Sequence, residues 1–239
     1  MYECNPDRQI SVQPLLQRRC QRSYSEVVLT RDEVFPNRVV GVIRTDDPEA
    51  AFRACVAALE GGIGTIEVAM TIPSCLDIVR GLVGSTLGGL PVGVGTVWDS
   101  ESVPRAKEAG ASFVATPVLL PQVAAACAHE GMYCVMGAMT PTEIHEGRKT
   151  GADLIKIFPI QAMGGADYVR WLQGPMPGTP LWVSGGIGLD QIGDYLSLGV
   201  TAVGLGTAVF PPEAVRQGDT ALITMLARRA ASAASALWV

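Results

Sequence analysis

Lysine is scarce in this chain: there are three, Lys107, Lys149 and Lys156, among 239 residues. No stretch concentrates lysine and arginine, and the net charge is −5. The clustered basic face that reads nucleic acid is therefore missing. A small anionic substrate is not excluded, because a few local donors suffice to bind one. Histidine is scarcer still, with His129 and His145 in polar helical stretches. Neither belongs to a close cluster of histidine, cysteine and carboxylate, so no metal site is indicated. The six cysteines, Cys4, Cys20, Cys55, Cys75, Cys127 and Cys134, form no CxxC pair. In a chain too large to need staples they read as reduced, small core residues of a reducing compartment. No apolar run approaches the ~20 residues of a membrane span, which predicts a soluble protein. VVGVIRTDD, at the first apolar strand, lacks the GxGxxG of a dinucleotide fold.

What is present is a large apolar complement, 48% hydrophobic against 17% charged, ample for one sizeable core. Residues 1–37 lack the pattern that follows. RQISVQPLLQRRCQRSYS carries arginine and serine and no lysine, as a transit peptide would, but Glu3 and Asp7 count against that reading. The alternative is a loosely packed extension, with VVLTRDEVF adding a short helix across one end of the domain. The expected location is cytoplasmic, or the stroma of a plastid or other organelle if the extension is a transit peptide.

From residue 39 onward, eight apolar runs alternate with amphipathic segments: 39–43, 65–70, 91–97, 113–118, 133–139, 154–159, 181–186 and 202–207. The runs start roughly 20 to 27 residues apart, one βα unit each. They are continuously apolar rather than alternating, as in a parallel sheet covered on its outside. Eight such units over residues 38–239 predict an α/β fold, a single-domain (β/α)8 TIM barrel, closed by one last alanine-rich helix after Phe210.

The informative residue is Lys156, inside the core run LIKIFP. Lys107 and Lys149 sit in polar helical stretches and need no explanation. A lysine in a buried strand does, because burial disfavours the charged form and leaves more of the nucleophilic free amine. Such an amine attacks a ketone and forms a Schiff base. The bland alternative is a lysine turned outward or paired with a carboxylate.

Chemistry in a barrel sits at the C-terminal ends of the strands, and the unusual residues fall there. Arg44 ends the first strand, Glu67 lies in the second, Thr96 ends the third, and Thr116 and Pro117 close the fourth. Singly each has an ordinary role; Glu67, for instance, would serve as a salt-bridge partner of Lys156. Together they supply an amine, a carboxylate, a cation and hydroxyls, the parts of a covalent acid/base site. Gly185 and Gly186 after strand seven, and Gly206 and Thr207 after strand eight, leave backbone N–H groups where barrels commonly hold phosphate. Glycine pairs also serve tight turns.

Between Val39 and Phe210 the chain resembles the 2-keto-3-deoxy-6-phosphogluconate (KDPG) and 4-hydroxy-2-oxoglutarate (KHG) aldolase family. The resemblance is carried by VVGVIR, GGIGTIEVAM, GVGTV, ATP, GADLIKIFP, VSGGI and VGLGT. It implies a homotrimeric (β/α)8 class I aldolase that needs no metal or other cofactor. Such an enzyme cleaves a 2-oxo-4-hydroxy acid, KDPG or a close relative, to pyruvate and glyceraldehyde 3-phosphate or another aldehyde. It further implies Lys156 as the Schiff-base lysine and Glu67 as the general acid/base. Arg44 and Thr96 would hold the pyruvyl carboxylate or adjacent oxygens, and Pro117 and Phe158 would wall the imine pocket. Gly185, Gly186, Gly206 and Thr207 would form the phosphate end. The chain departs from the family's habit at Thr71, where many members carry arginine, and at Met136 and Val118; these changes are expected to line the pocket. Two other readings compete: a phosphate-binding barrel isomerase or epimerase, and a barrel that binds ligand without turnover.

Overall fold

The computed structural model describes residues 29–235 except 86 and 88. Most of the N-terminal extension, including Cys4 and Cys20, lies outside these residues. Eight strands close into a parallel barrel in chain order: β1 (Val39–Ile43), β2 (Thr65–Ala69), β3 (Val92–Gly95), β4 (Phe113–Ala115), β5 (Tyr133–Ala138), β6 (Leu154–Ile157), β7 (Leu181–Ser184) and β8 (Ala202–Leu205). Each starts within a residue of its expected position. Seven stop short of the expected C-terminal end, because the residues there have left the ladder. Thr96, Gly185 and Gly186 have positive φ (60°, 103° and 81°), and Pro117 and Pro159 have no N–H to donate. The frayed ends form the mouth of the barrel.

The helices between the strands follow local rules. α2 (Pro48–Glu60) begins with Asp47, whose carboxylate accepts from the N–H groups of Glu49 and Ala50 at 2.9 and 3.0 Å. α3 (Cys75–Val83) follows β2, and in α4 (Ser102–Glu108) Asp99 accepts from Ser102 N–H at 2.8 Å. α5 (Pro121–Glu130) and α6 (Pro141–Lys149) both carry proline in the first turn, where its missing donor costs nothing. α7 (Ala166–Gln173) and the short α8 (Ile192–Ser197) complete the ring.

The N-terminal segment plugs the bottom of the barrel. α1 (Arg31–Val34) starts in a capping box in which Thr30 and Glu33 bond each other's backbone N–H. It delivers Val34 and Phe35 into the lumen beside Val40, Phe113, Tyr133 and Trp182. Phe35 touches three of these rings, with centroids 5.7 Å from Phe113, 5.9 Å from Tyr133 and 5.7 Å from Trp182.

The end of the chain differs from the single helix expected. α9 (Pro212–Gln217) and α10 (Thr220–Ser235) are separated at Gly218, which adopts φ 69°, and Asp219 caps the second helix by accepting from Leu222 N–H at 3.0 Å. α10 folds back onto α2, and the Thr224 hydroxyl donates to the Ala57 carbonyl at 3.0 Å. A Cβ on Gly61 would lie 2.5 Å from that of Ala227, so the small residue sets how closely the two helices approach.

Candidate active site

Inward-facing positions of the strands build the site from below. Val42 of β1 is in register with Glu67 of β2, and Lys156 of β6 with Trp182 of β7. Lys156 and Glu67, 89 positions apart in sequence, meet in the lumen: Lys156 Nζ donates to Glu67 Oε2 at 2.6 Å. Their side chains are only 8% and 1% exposed. The lysine is therefore paired as well as buried, uniting the chemical and the bland reading of its charge. Removing one partner would strand a buried charge, at a cost of roughly 3–5 kcal/mol.

Glycines make room for the pair. A Cβ on Gly95 would lie 2.0 Å from Glu67 Oε1 and 2.5 Å from its Cγ, and one on Gly137, the register partner of Lys156, would meet the Pro117 backbone at 2.4 Å. Pro117 is thereby held against β5, the strand beside the lysine's. Phe158 stands at the rim, its ring centroid 5.9 Å from Lys156 Nζ, with 42% of the residue exposed. Gly185 lies beneath it, where a Cβ would come within 3.0 Å of the Phe158 ring.

At the mouth, Arg44 is held by two threonines. Its Nη1 donates to Thr71 Oγ1 and its Nη2 to Thr96 Oγ1, each at 3.0 Å. Two of five guanidinium donors are used, so the fork is oriented and donors remain for a carboxylate. Arg44 lies two residues past Val42, hence roughly 7 Å farther toward the mouth than the level of Glu67. Thr96 is a β-branched residue at φ 60°, a disfavoured conformation that the surrounding structure must hold in place. Thr71, at the position where the resembled family often carries arginine, steadies this chain's own arginine.

Gly186, Gly206 and Thr207 stand at the same rim; the hydrogen bonds of the Lys156–Glu67 pair and of the separate Arg44–Thr71–Thr96 cluster do not include them. Met136 departs from expectation. It faces the outer layer, fully buried, and its sulfur accepts from Leu120 N–H at 3.1 Å. It supports the loop after β4 from behind, because strand alternation gives the inward position to Gly137. Val118, beside Pro117, is 42% exposed at the mouth.

Two contributors escape sequence reasoning. Gly95 reads as an ordinary strand glycine, and Trp182 as a core residue, although it shares its inward parity with Ser184. The Trp182 ring centroid lies 4.3 Å from Lys156 Nζ. Among the described residues no group of histidine, cysteine and carboxylate side chains could hold a metal ion. His129 and His145 have exposed side chains, and Cys55, Cys75, Cys127 and Cys134 are buried free thiols. Burial pushes the Cys75 thiol up to about 12.

Comparison with known proteins places this arrangement in a family. The KDPG aldolase of Legionella pneumophila, solved with pyruvate captured at low pH as a covalent carbinolamine intermediate, superposes with a TM-score of 0.76 at 27% identity, covering 84% of this chain and 97% of that one. The 2-dehydro-3-deoxy-phosphogluconate aldolase of Dickeya dadantii is 30% identical over 90% of this chain and 98% of its own length. The KHG/KDPG aldolase of Escherichia coli K12 is 30% identical over 89% and 97%. With the family model for KDPG and KHG aldolase matching residues 32–226, the chain belongs to the KDPG and KHG aldolase family.

Proposed function

We propose that this chain is a class I aldolase that cleaves a 2-oxo-4-hydroxy acid to pyruvate and an aldehyde through a Schiff base on Lys156. The observation that carries the reading is the buried contact of 2.6 Å between Lys156 and Glu67. The ammonium must lose a proton before it can attack, and Glu67 is positioned to take it. The amine then adds to C2 of the keto acid, and the former carbonyl oxygen becomes a hydroxyl. Glu67 returns its proton to that hydroxyl, water departs, and a protonated imine remains beside a carboxylate. The electron pair of the C3–C4 bond flows into the iminium and gives an enamine. The C4 hydroxyl proton passes to Glu67, directly or through water, as the aldehyde leaves. Protonation at C3 and hydrolysis release pyruvate and restore the pair. Arg44, fixed by Thr71 and Thr96, supports recognition of the substrate carboxylate.

KDPG or a close relative is the proposed substrate, with Gly185, Gly186, Gly206 and Thr207 at the end that receives the phosphate. The assembly is taken as a homotrimer, the state the family resemblance implies, and light scattering of the purified protein tests it. A compartment that keeps thiols reduced, cytoplasm or organelle stroma, fits the free buried cysteines.

The function is tested by borohydride reduction with pyruvate followed by peptide mass spectrometry. A reduced pyruvyl adduct on Lys156 is expected. Its absence on folded protein would sink the aldolase reading and favour an isomerase or ligand-binding barrel. Lys156→Arg keeps the buried cation without an equivalent nucleophile, and should fold, fail to trap and lose activity. Glu67→Gln should trap slowly and lose roughly 10²–10⁴ in kcat.

A further inference from the structure

The Lys156 ammonium lies closer to the Trp182 ring than to Phe158, 4.3 Å against 5.9 Å from the centroids. Both rings are within the reach of a cation–π contact, but their settings differ. Phe158 is 42% exposed, whereas Trp182 is fully buried and in register with Lys156 on the neighbouring strand. The indole is also held in place from below, with centroids 5.7 Å from Phe35 and 6.0 Å from Phe113.

The choice of tryptophan carries a penalty. Its Nε1–H is buried and, among the described residues, without a hydrogen-bond partner, an arrangement that native proteins rarely tolerate without reason. It also demands glycine opposite, since a Cβ on Gly204 would lie 2.5 Å from Nε1. A phenylalanine would bury an aromatic face with no orphaned donor. What the indole adds is the most electron-rich face among the aromatic side chains.

We propose that Trp182 is a positioning residue whose indole face stabilises the cation on Lys156 Nζ through the reaction, favouring the iminium over the neutral carbinolamine. This rests on the Schiff-base reading of Lys156. The physical reason lies in what Glu67 must do. Glu67 bonds Nζ of the free lysine, but once Nζ is joined to C2 the same carboxylate has to serve the C4 hydroxyl. An iminium whose carboxylate has turned to another atom still has the indole face beneath it. That face neither takes nor gives a proton, so it holds the charge without competing for Glu67.

Fluorinated tryptophans test this without altering the shape of the core, because each fluorine withdraws electron density from the ring face. Protein is produced with unlabelled, 5-fluoro-, 5,7-difluoro- and 5,6,7-trifluorotryptophan, in the native sequence and in Trp182→Phe. At saturating pyruvate labelled with 13C at C2, the ratio of iminium to carbinolamine on Lys156 is measured for each by 13C NMR, a ratio that compares a cation with a neutral adduct. In the native sequence this ratio should fall with every fluorine, by roughly 3- to 30-fold across the series, while the Trp182→Phe series stays flat. Trp182→Leu should lower the ratio more than Trp182→Phe does. A ratio with no dependence on fluorine, or equal dependence in both backgrounds, would overturn the role of Trp182 and leave the aldolase reading intact. No adduct on Lys156 in any sample would overturn the Schiff-base reading and this proposal with it.

Discussion

A single absent methyl group decides whether Glu67 can work. Gly95 faces the glutamate so closely that any Cβ would overlap its carboxylate and methylene. The strand is rigid and the pocket close-packed, so the side chain that must move is the catalytic one. Gly95→Ala is expected to lower kcat by at least about 100-fold, since a displacement of about 1 Å already costs that much. Its stability loss should be about 1–3 kcal/mol. Steady-state kinetics beside urea unfolding checks both. A normal kcat would show that Glu67 has another position from which to act.

Among the elements, α6 shows how a cap couples local structure to pH. Glu143 accepts from the N–H groups of Met139 and Thr140 at 2.9 and 2.8 Å, while Thr140 Oγ1 accepts from Glu143 N–H at 3.3 Å. The Met139 N–H, then that of Thr140, holds the Glu143 carboxyl below its ordinary value of 4.5, and desolvation opposes this only in part. The folded value is the lower one, so the stabilisation is fully present above pH 4.5 and is lost as pH falls through the folded value. Glu143→Gln keeps an oxygen acceptor for the capping box but loses the charge, so after solvent screening it should cost a few tenths to about 1 kcal/mol at pH 7 and progressively less toward pH 3. Urea midpoints of the two proteins should converge in acid; a constant gap would show that the carboxylate's charge is irrelevant to the cap.

At the scale of the whole molecule, the barrel is sealed at one end by its own N-terminal segment and open for chemistry at the other. Phe35, contributed from before the first strand, fills the space between Phe113, Tyr133 and Trp182. Phe35→Ala should cost about 3–5 kcal/mol in urea unfolding. Because Trp182 lies between Phe35 and Lys156, its effect should extend to the mouth as weaker pyruvate trapping on protein that is still folded. Unchanged trapping would confine Phe35 to a structural role.

The sequence by itself determined the barrel. Eight apolar runs at βα spacing admit few other closures, and the strand starts were legible because β-branched runs flanked by glycine and proline have strong local preferences. Lys156 and Glu67 were legible as well, since a charge within a core strand is conspicuous. The strand ends were not, because at the mouth the backbone follows loop geometry, as Thr96 does at φ 60°, rather than propensity. The split between α9 and α10 depends on one glycine in a left-handed conformation that alanine-rich periodicity conceals. Only the tertiary structure paired Lys156 with Glu67 across 89 positions, turned Met136 away from the pocket, and set Trp182 beneath the lysine. Those facts follow from barrel closure and register, which bring residues from separate strands to one level of the lumen and are written in no local stretch of the chain.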